Sequence, residues 1–289
     1  MDVLLHQILS GLATGGIYAS VALALVMIYQ ATHLVNFAQG ELAMFATYIA
    51  WSLMQAGVPY WAAFFLTVAV AFALGVVIER VIVQPVEDKP ILAVVIVFIA
   101  LLVILNSLAG WIFTYTIKPF PSPFPTRPLF DNSYVSSHEL GSIAITLVVL
   151  AMIFAFFRFT PLGLAMRAAA QNPVSSRLVG IRVGWMLALG WGLAAAIGAV
   201  AGIMVAPTVF LEPNMMSGIL LYAFAAALLG GIDSPGGAVL GGFIVGVLEN
   251  VVGSIIGTEL KLTVALVLIV GVLVVRPSGL FGKVHVTRV

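Results

Sequence analysis

The side chains able to do polar chemistry in this 289-residue chain stand at isolated places between long apolar runs. The first place is Asn36-Phe37-Ala38-Gln39-Gly40-Glu41. Asn36 followed three residues later by Gln39 has the spacing of a capping box, so a helix is expected to begin here. A helix N-terminus offers free N–H donors and a partial positive charge to an anion. In transporters, broken membrane helices of this kind often face a substrate carboxylate near the midplane. Glu41 lies one turn inside the new helix, with apolar chain on both sides. An intramembrane carboxylate is costly and is by default a functional position. It either meets a substrate ammonium or pairs within the protein. The other reading is a cytoplasmic turn over residues 31–36, with Glu41 in a first helical turn whose dipole favours it.

The second place is Gly230-Gly231-Ile232-Asp233-Ser234-Pro235-Gly236-Gly237, followed by Leu248-Glu249-Asn250. The Gly-Pro cluster ends one helix and lets backbone come close to something. Asp233 or Ser234 can cap the next helix. Glu249 and Asn250 lie deep in an apolar run, and a buried charge needs a partner. That partner is either an Arg or Lys near a membrane face or the polar lining of a pathway.

The third place runs from Thr160-Pro161-Leu162-Gly163 through Arg167 and Asn172-Pro173 to Arg182. Thr160 can cap a helix, and Pro161 suits its first position. Asn172 and Pro173 repeat the device, and Gly180 suits the C-terminal cap. Two short helices are therefore expected. Leu162, Met166 and Leu178 form an apolar face that either docks on a soluble partner or lies on lipid, with Arg167 and Arg177 paired to anionic headgroups.

Elsewhere the signals are weak. Glu79-Arg80 reads as an interfacial anchor, since neighbours in a helix do not face each other. His33 and His138 are isolated, with no HExxH spacing, so no metal site is assigned. No nucleophile–base arrangement is visible, so no catalytic residue is assigned.

These residues must be held by membrane helices. The chain is 62% hydrophobic and 8% charged, with mean hydropathy +1.19. One water-soluble core cannot hide that surface, which excludes a soluble enzyme and a disordered chain. There is no cysteine, and a net charge of +1 leaves no basic field for nucleic acid. The fold class is all-α: a polytopic helical membrane bundle of about eight or nine spans with a cytoplasmic segment, read as one domain over residues 1–289. Apolar runs stand near 8–30, 37–56, 60–79, 91–112, 140–158, 185–208, 217–232, 238–256 and 262–275, the first being a retained span. The runs at 217–232 and 262–275 are short. Small residues four apart, as in Gly11 and Gly15, Gly198 and Gly202, Gly237 and Gly241, and Gly242 and Gly246, fit close helix packing.

Charge sets the orientation. Arg80, Lys89, Arg158, Arg167, Arg177, Arg182, Arg276, Lys283 and Arg288 fall on one side, and Lys118, Arg127 and Lys261 on the other. The richer side is expected in the cytoplasm. With nine passes the N-terminus is outside. The longest outer loop, about 113–139, carries Pro119, Pro121, Pro123, Pro125 and Pro128 and favours extended chain, either as a stiff connector or as a docking surface. No GxxxxGK[ST] motif is present, so ATP acts only through a separate subunit.

The motifs together resemble the membrane permeases of branched-chain amino-acid ABC importers. The resemblance rests on Gly15-Gly16-Ile17-Tyr18-Ala19 to Ile28-Tyr29, on Asn36 to Glu41, and on Glu79-Arg80 with Gln84-Pro85. It continues through Leu162-Gly163, Arg167-Ala168, Asn172-Pro173 and Gly180-Ile181. Leu229 to Ala238, Glu249, and Arg276-Pro277-Ser278-Gly279-Leu280-Phe281-Gly282 complete it. It covers nearly the whole chain and departs at Gln30, Gln84 and Asp233.

The resemblance implies a bacterial inner-membrane subunit that imports branched-chain or related amino acids by alternating access. It implies a second permease chain, identical or homologous, two cytoplasmic ATPase subunits, and a periplasmic or tethered substrate-binding protein. No cofactor is expected on this chain, since ATP and Mg are bound by the ATPase subunits. The segment 160–182 becomes the coupling element, with Leu162, Gly163, Arg167, Asn172, Pro173, Arg177 and Gly180 at the ATPase. A weakly selective pathway is expected near Asn36, Gln39, Glu41, Asp233, Glu249 and Asn250. Relatives also import urea and short amides, and an ion-driven carrier using Glu41 and Glu249 is a further alternative.

Overall fold

The structure, a computed structural model, describes residues 2–32, 35–87, 89–125 and 136–282. His33, Arg127, Pro128, Lys283 and Arg288 lie outside the described residues. Eleven α-helices are found among them: α1 (Asp2–Thr32), α2 (Gln39–Gln55), α3 (Tyr60–Ile78), α4 (Ile91–Phe113), α5 (Ser137–Phe159), α6 (Pro161–Gln171), α7 (Pro173–Leu178), α8 (Val183–Val209), α9 (Ser217–Gly230), α10 (Pro235–Ile255) and α11 (Lys261–Val275). Seven helical stretches are long and apolar enough to cross a membrane. These are α1, α3 with its continuation to Val86, α4, α5, α8, α10 and α11 with the turn before it. The run near 217–232 forms the 14-residue α9, and the run near 37–56 forms the 17-residue α2. At 1.5 Å per residue α2 is about 25 Å long, short of a bilayer core of about 30 Å.

The chain divides into two compact units, and α1 and α5 contribute to both. One unit comprises Met27–Pro123 and Leu147–Ser217. Its core is α8, with α2 and α3 packed along it. Small residues make that closeness possible. A side chain at Gly75 would meet the Trp191 carbonyl at 2.6 Å, and one at Gly198 would meet the Gln39 amide at 2.6 Å. The α8 surface is thus shaped to take a neighbouring backbone rather than lipid.

Beyond α3 the helix widens into a π-turn, Glu79–Val83, followed by a 3-10 turn, Gln84–Val86. This corrects the reading of Glu79 and Arg80 as non-facing neighbours on an ordinary helix. Arg80 Nε lies 3.7 Å from Glu79 Oε2. Its guanidinium covers Trp185 at 4.2 Å and donates to Gln84 Oε1 at 3.1 Å.

The other unit comprises Met1–Val26, Phe124–Thr146 and Gly218–Val289. In it α1 and α10 meet glycine to glycine. Side chains at Gly15 and Gly246 would strike each other's helix backbone. Ser234 accepts from the Gly237 N–H at 3.1 Å and so caps α10. After α11 the chain folds back, and the N–H groups of Leu280 and Phe281 donate to Leu229 O and Gly230 O at 2.8 and 3.0 Å. The motif 276–282 thereby closes on the turn between α9 and α10. Gly279 has φ +71, and a side chain there would also meet Gly231 Cα at 2.6 Å.

Candidate functional site

The start of α2 lies halfway along α8. Gln39 Nε2 donates to Ala194 O at 3.0 Å, and Thr47 and Ala43 lie against Gly202. Ala194 is eleven residues into α8, about 17 Å from its start. From there α2 runs parallel to α8 and α4. Tyr48 stacks on Phe113 at the end of α4, with centroids 4.4 Å apart, and Trp51 lies below the Lys118 ammonium at 5.1 Å. The N-terminus of α2 thus stands about halfway along α8, packed against it.

The expected capping box does not form. Asn36 Oδ1 accepts from the Ala38 N–H at 3.0 Å, an Asx turn, and Ala38 takes the N-cap position without a side-chain cap. Gln39 is drawn to the Ala194 carbonyl of α8 instead of back to its own turn. Asn36 and Gln39 are both 0% exposed, yet Asn36 Nδ2 and Gln39 Oε1 have no hydrogen-bond partner. Buried polar atoms are nearly always paired, so two orphans at one buried helix start mark a place built for polar company.

Glu41, 5% exposed, follows on the first turn of α2. Its Oε2 accepts from Asn106 Nδ2 at 3.3 Å. The same nitrogen lies 3.0 Å from Pro213 O and 3.1 Å from Asn214 Oδ1. Asn106 and Asn214 were not among the residues expected at the site. A lone amide in α4, within a span of mean hydropathy 3.1, was the available signal.

Asp233, Glu249 and Asn250 belong to the other unit. Glu249, 6% exposed, accepts from the Tyr18 hydroxyl at 2.6 Å and pairs with Lys261 Nζ at 3.4 Å. Tyr18 stacks on Tyr222 at 4.8 Å. Asn250 donates to Gly246 O at 3.0 Å and approaches Thr14 at 3.4 Å. Asp233 is half-buried in the α9–α10 turn.

The segment 160–182 forms α6 and α7. Thr160 caps α6 through the Gly163 N–H at 3.0 Å, and Asn172 caps α7 through the Ser175 N–H at 2.9 Å, each followed by proline. Gly180, φ +88, ends α7. A side chain at Gly163 would strike the Phe156 carbonyl, so this glycine lets α6 turn tightly under α5. Leu162, Leu164, Val174, Leu178 and Val179 are exposed, as are Arg167 and Arg177. Met166 does not share that face. It is buried, because α6 turns it toward α8, where Ala169 packs on Val183 and Leu187. No group of three metal-binding side chains occurs among the described residues.

Comparison with known proteins places this geometry in a family. Residues 7–273 match the family model described as branched-chain amino acid transport system / permease component. The chain is 30% identical to the high-affinity branched-chain amino acid transport system permease protein LivH of Salmonella typhimurium, over 99% of this chain and 97% of that one. It is also 30% identical to BraD, a permease protein of the same description from Pseudomonas aeruginosa, over 99% and 98%. Among solved structures, PsaBC from Streptococcus pneumoniae in complex with Fab shares the fold, with a TM-score of 0.51 at 13% identity, covering 94% of this chain and 92% of that chain. With an all-helical bundle of membrane-crossing length and a match along nearly its whole sequence, the chain belongs to the branched-chain amino acid transport permease family, as a multi-pass inner-membrane transport subunit.

Proposed function

We propose that residues 1–289 act as one permease domain that moves branched-chain amino acids inward through the site at the start of α2. The observation that carries this reading is the buried mid-height helix start with unpartnered Asn36 Nδ2 and Gln39 Oε1 beside Glu41. A zwitterion suits such a place. Its carboxylate is drawn to the first-turn N–H groups and helix dipole, and its ammonium to Glu41. Its aliphatic side chain fits apolar neighbours such as Leu42 and Ala43. The family match favours amino acids over urea or short amides, and an ATP-driven importer over an ion-driven carrier.

ATP enters through other subunits. The exposed Leu162, Leu178, Arg167 and Arg177 on two capped, rigid helices suit a groove on an ATPase, and short rigid helices pass on a shift as a body. Gly163, Asn172, Pro173 and Gly180 set the shape of that surface. Arg158 and Arg182 flank this segment in sequence and Arg80 lies over Trp185, a crowding of arginine that supports a cytoplasmic position. A second permease chain, two ATPase subunits with their ATP and Mg, and a substrate-binding protein outside complete the importer. Asp233, Glu249 and Asn250 are proposed to line a pathway as well.

The test is uptake of labelled leucine by the complete importer in proteoliposomes. Glu41→Gln is expected to lower uptake at least about tenfold, the scale of a lost charged hydrogen bond, with assembly intact. Unchanged uptake would remove the carboxylate from the pathway. Arg167→Glu is expected to keep the complex folded but uncouple ATP hydrolysis from uptake; normal coupling would take Arg167 off the interface.

A further inference from the structure

Three oxygens converge on one point beside α2: Glu41 Oε2, Pro213 O and Asn214 Oδ1, at 3.3, 3.0 and 3.1 Å from Asn106 Nδ2. An amide nitrogen carries two hydrogens, so it can serve two of these acceptors at once and leaves the third unserved. A primary ammonium carries three N–H donors directed like a tripod, and its single positive charge matches the single negative charge of Glu41. We propose that Glu41, the Pro213 carbonyl and Asn214 form the binding tripod for the substrate's α-ammonium, and that the Asn106 amide occupies this position as a placeholder that withdraws when an ammonium enters. The inference rests on the amino-acid reading of the α2 site and adds its ammonium subsite.

The surroundings agree with that assignment. Glu41 and Pro213 are buried, whereas Asn214 is exposed, so the point is reached from the side of Asn214. The tripod stands one turn from the α2 N-terminus, where a carboxylate on the same substrate is held. A planar amide or urea brings two donors per nitrogen and no charge, and leaves the tripod in the same deficit as Asn106 does. A quaternary ammonium brings no donor. The site therefore selects a primary ammonium, which distinguishes amino acids from short amides at the permease itself.

The placeholder gives an unusual sign. Removing a tripod oxygen weakens binding, while removing the amide that competes for the tripod strengthens it. Equilibrium binding of labelled leucine to the permease–ATPase complex in nanodiscs reads both, with Glu41→Gln, Asn214→Ala and Asn106→Ala. Glu41→Gln and Asn214→Ala are expected to weaken binding about tenfold or more. Asn106→Ala is expected to tighten it, about threefold if the amide holds the point two-thirds of the time. The probe 3-methylbutylamine, which keeps the side chain and ammonium without a carboxylate, should compete in the unaltered complex and lose most of that competition in Asn214→Ala. The tripod is overturned if Asn106→Ala leaves binding unchanged or weaker, if Asn214→Ala binds normally, or if the amine fails to compete. Leucine uptake by the complete importer in proteoliposomes is measured in parallel. Normal uptake with any of those results overturns the tripod alone, whereas absence of amino-acid uptake overturns the reading of the site on which it rests.

Discussion

Glu249 is tolerated inside α10 because two groups meet it, the Tyr18 hydroxyl from α1 and the Lys261 ammonium from the start of α11. Lys261→Met takes away the charge but leaves the carboxylate buried, with Tyr18 as its remaining donor. Leaving a buried charge without its partner costs about 3–5 kcal/mol, so the single variant should melt earlier in detergent than the pair Lys261→Met with Glu249→Gln. Equal melting of the two would mean the pair carries no coupling. A need for a partner was legible at Glu249, since a carboxylate deep in an apolar run has few ways to exist. The identity of Tyr18 was not, because it lies 231 positions away and a tyrosine in a membrane helix stands out in no pattern. Asn36 and Gln39 were found by spacing, but the capping box that the spacing suggested lost to a tertiary acceptor, the Ala194 carbonyl, which no local pattern announces.

At the scale of elements, helix starts were most readable where a cap and a proline stand together. Thr160-Pro161, Asn172-Pro173 and Ser234-Pro235 each open a helix, since the side chain accepts an orphan N–H and the proline gives up none. The π-turn after α3, where Arg80 lies over Trp185, was not readable in the local sequence. The α6–α7 pair depends on its joint with α5. Gly163→Val would push α6 away from the Phe156 carbonyl and tilt the exposed face of Leu162 and Leu164. It is expected to abolish leucine-stimulated ATP hydrolysis in the complete importer while the permease still inserts and purifies. Thr160→Ala, which removes the cap and the hydroxyl's bond to Phe156 O but adds no bulk at the joint, should cost about 1 kcal/mol in melting and leave most of that hydrolysis. Equal damage from both would show that stability, not the position of α6, decides coupling.

Over the whole chain, nine apolar segments and their order were legible, because twenty-odd apolar residues in a row have few places to go but a bilayer. Of the two runs read as short, 217–232 forms the 14-residue α9, whereas the shortness of α2 was not legible. The 17-residue α2 packs along α8 through small residues, with Ala43 against Gly202. The closure of 276–282 on the turn after α9 likewise joins two motifs that are far apart in sequence. Ending the chain at Val275 removes the Leu280 and Phe281 donors and should lower the yield of folded permease; a full yield would make that closure dispensable. One feature carries further than its own neighbourhood. The same helix, α8, bears α6 on Val183 and Leu187 at its start and the Gln39 hydrogen bond on Ala194 eleven residues on. If the ATPase seats on α6, the nucleotide and the amino acid are thermodynamically reciprocal through one stiff body: whatever preference ATP imposes on the pocket, an occupied pocket must impose on ATP in equal measure. A tightly cargo-bound permease would then hold its motor at a different nucleotide affinity from an idle one, so fuel use is metered by cargo without a dedicated sensor.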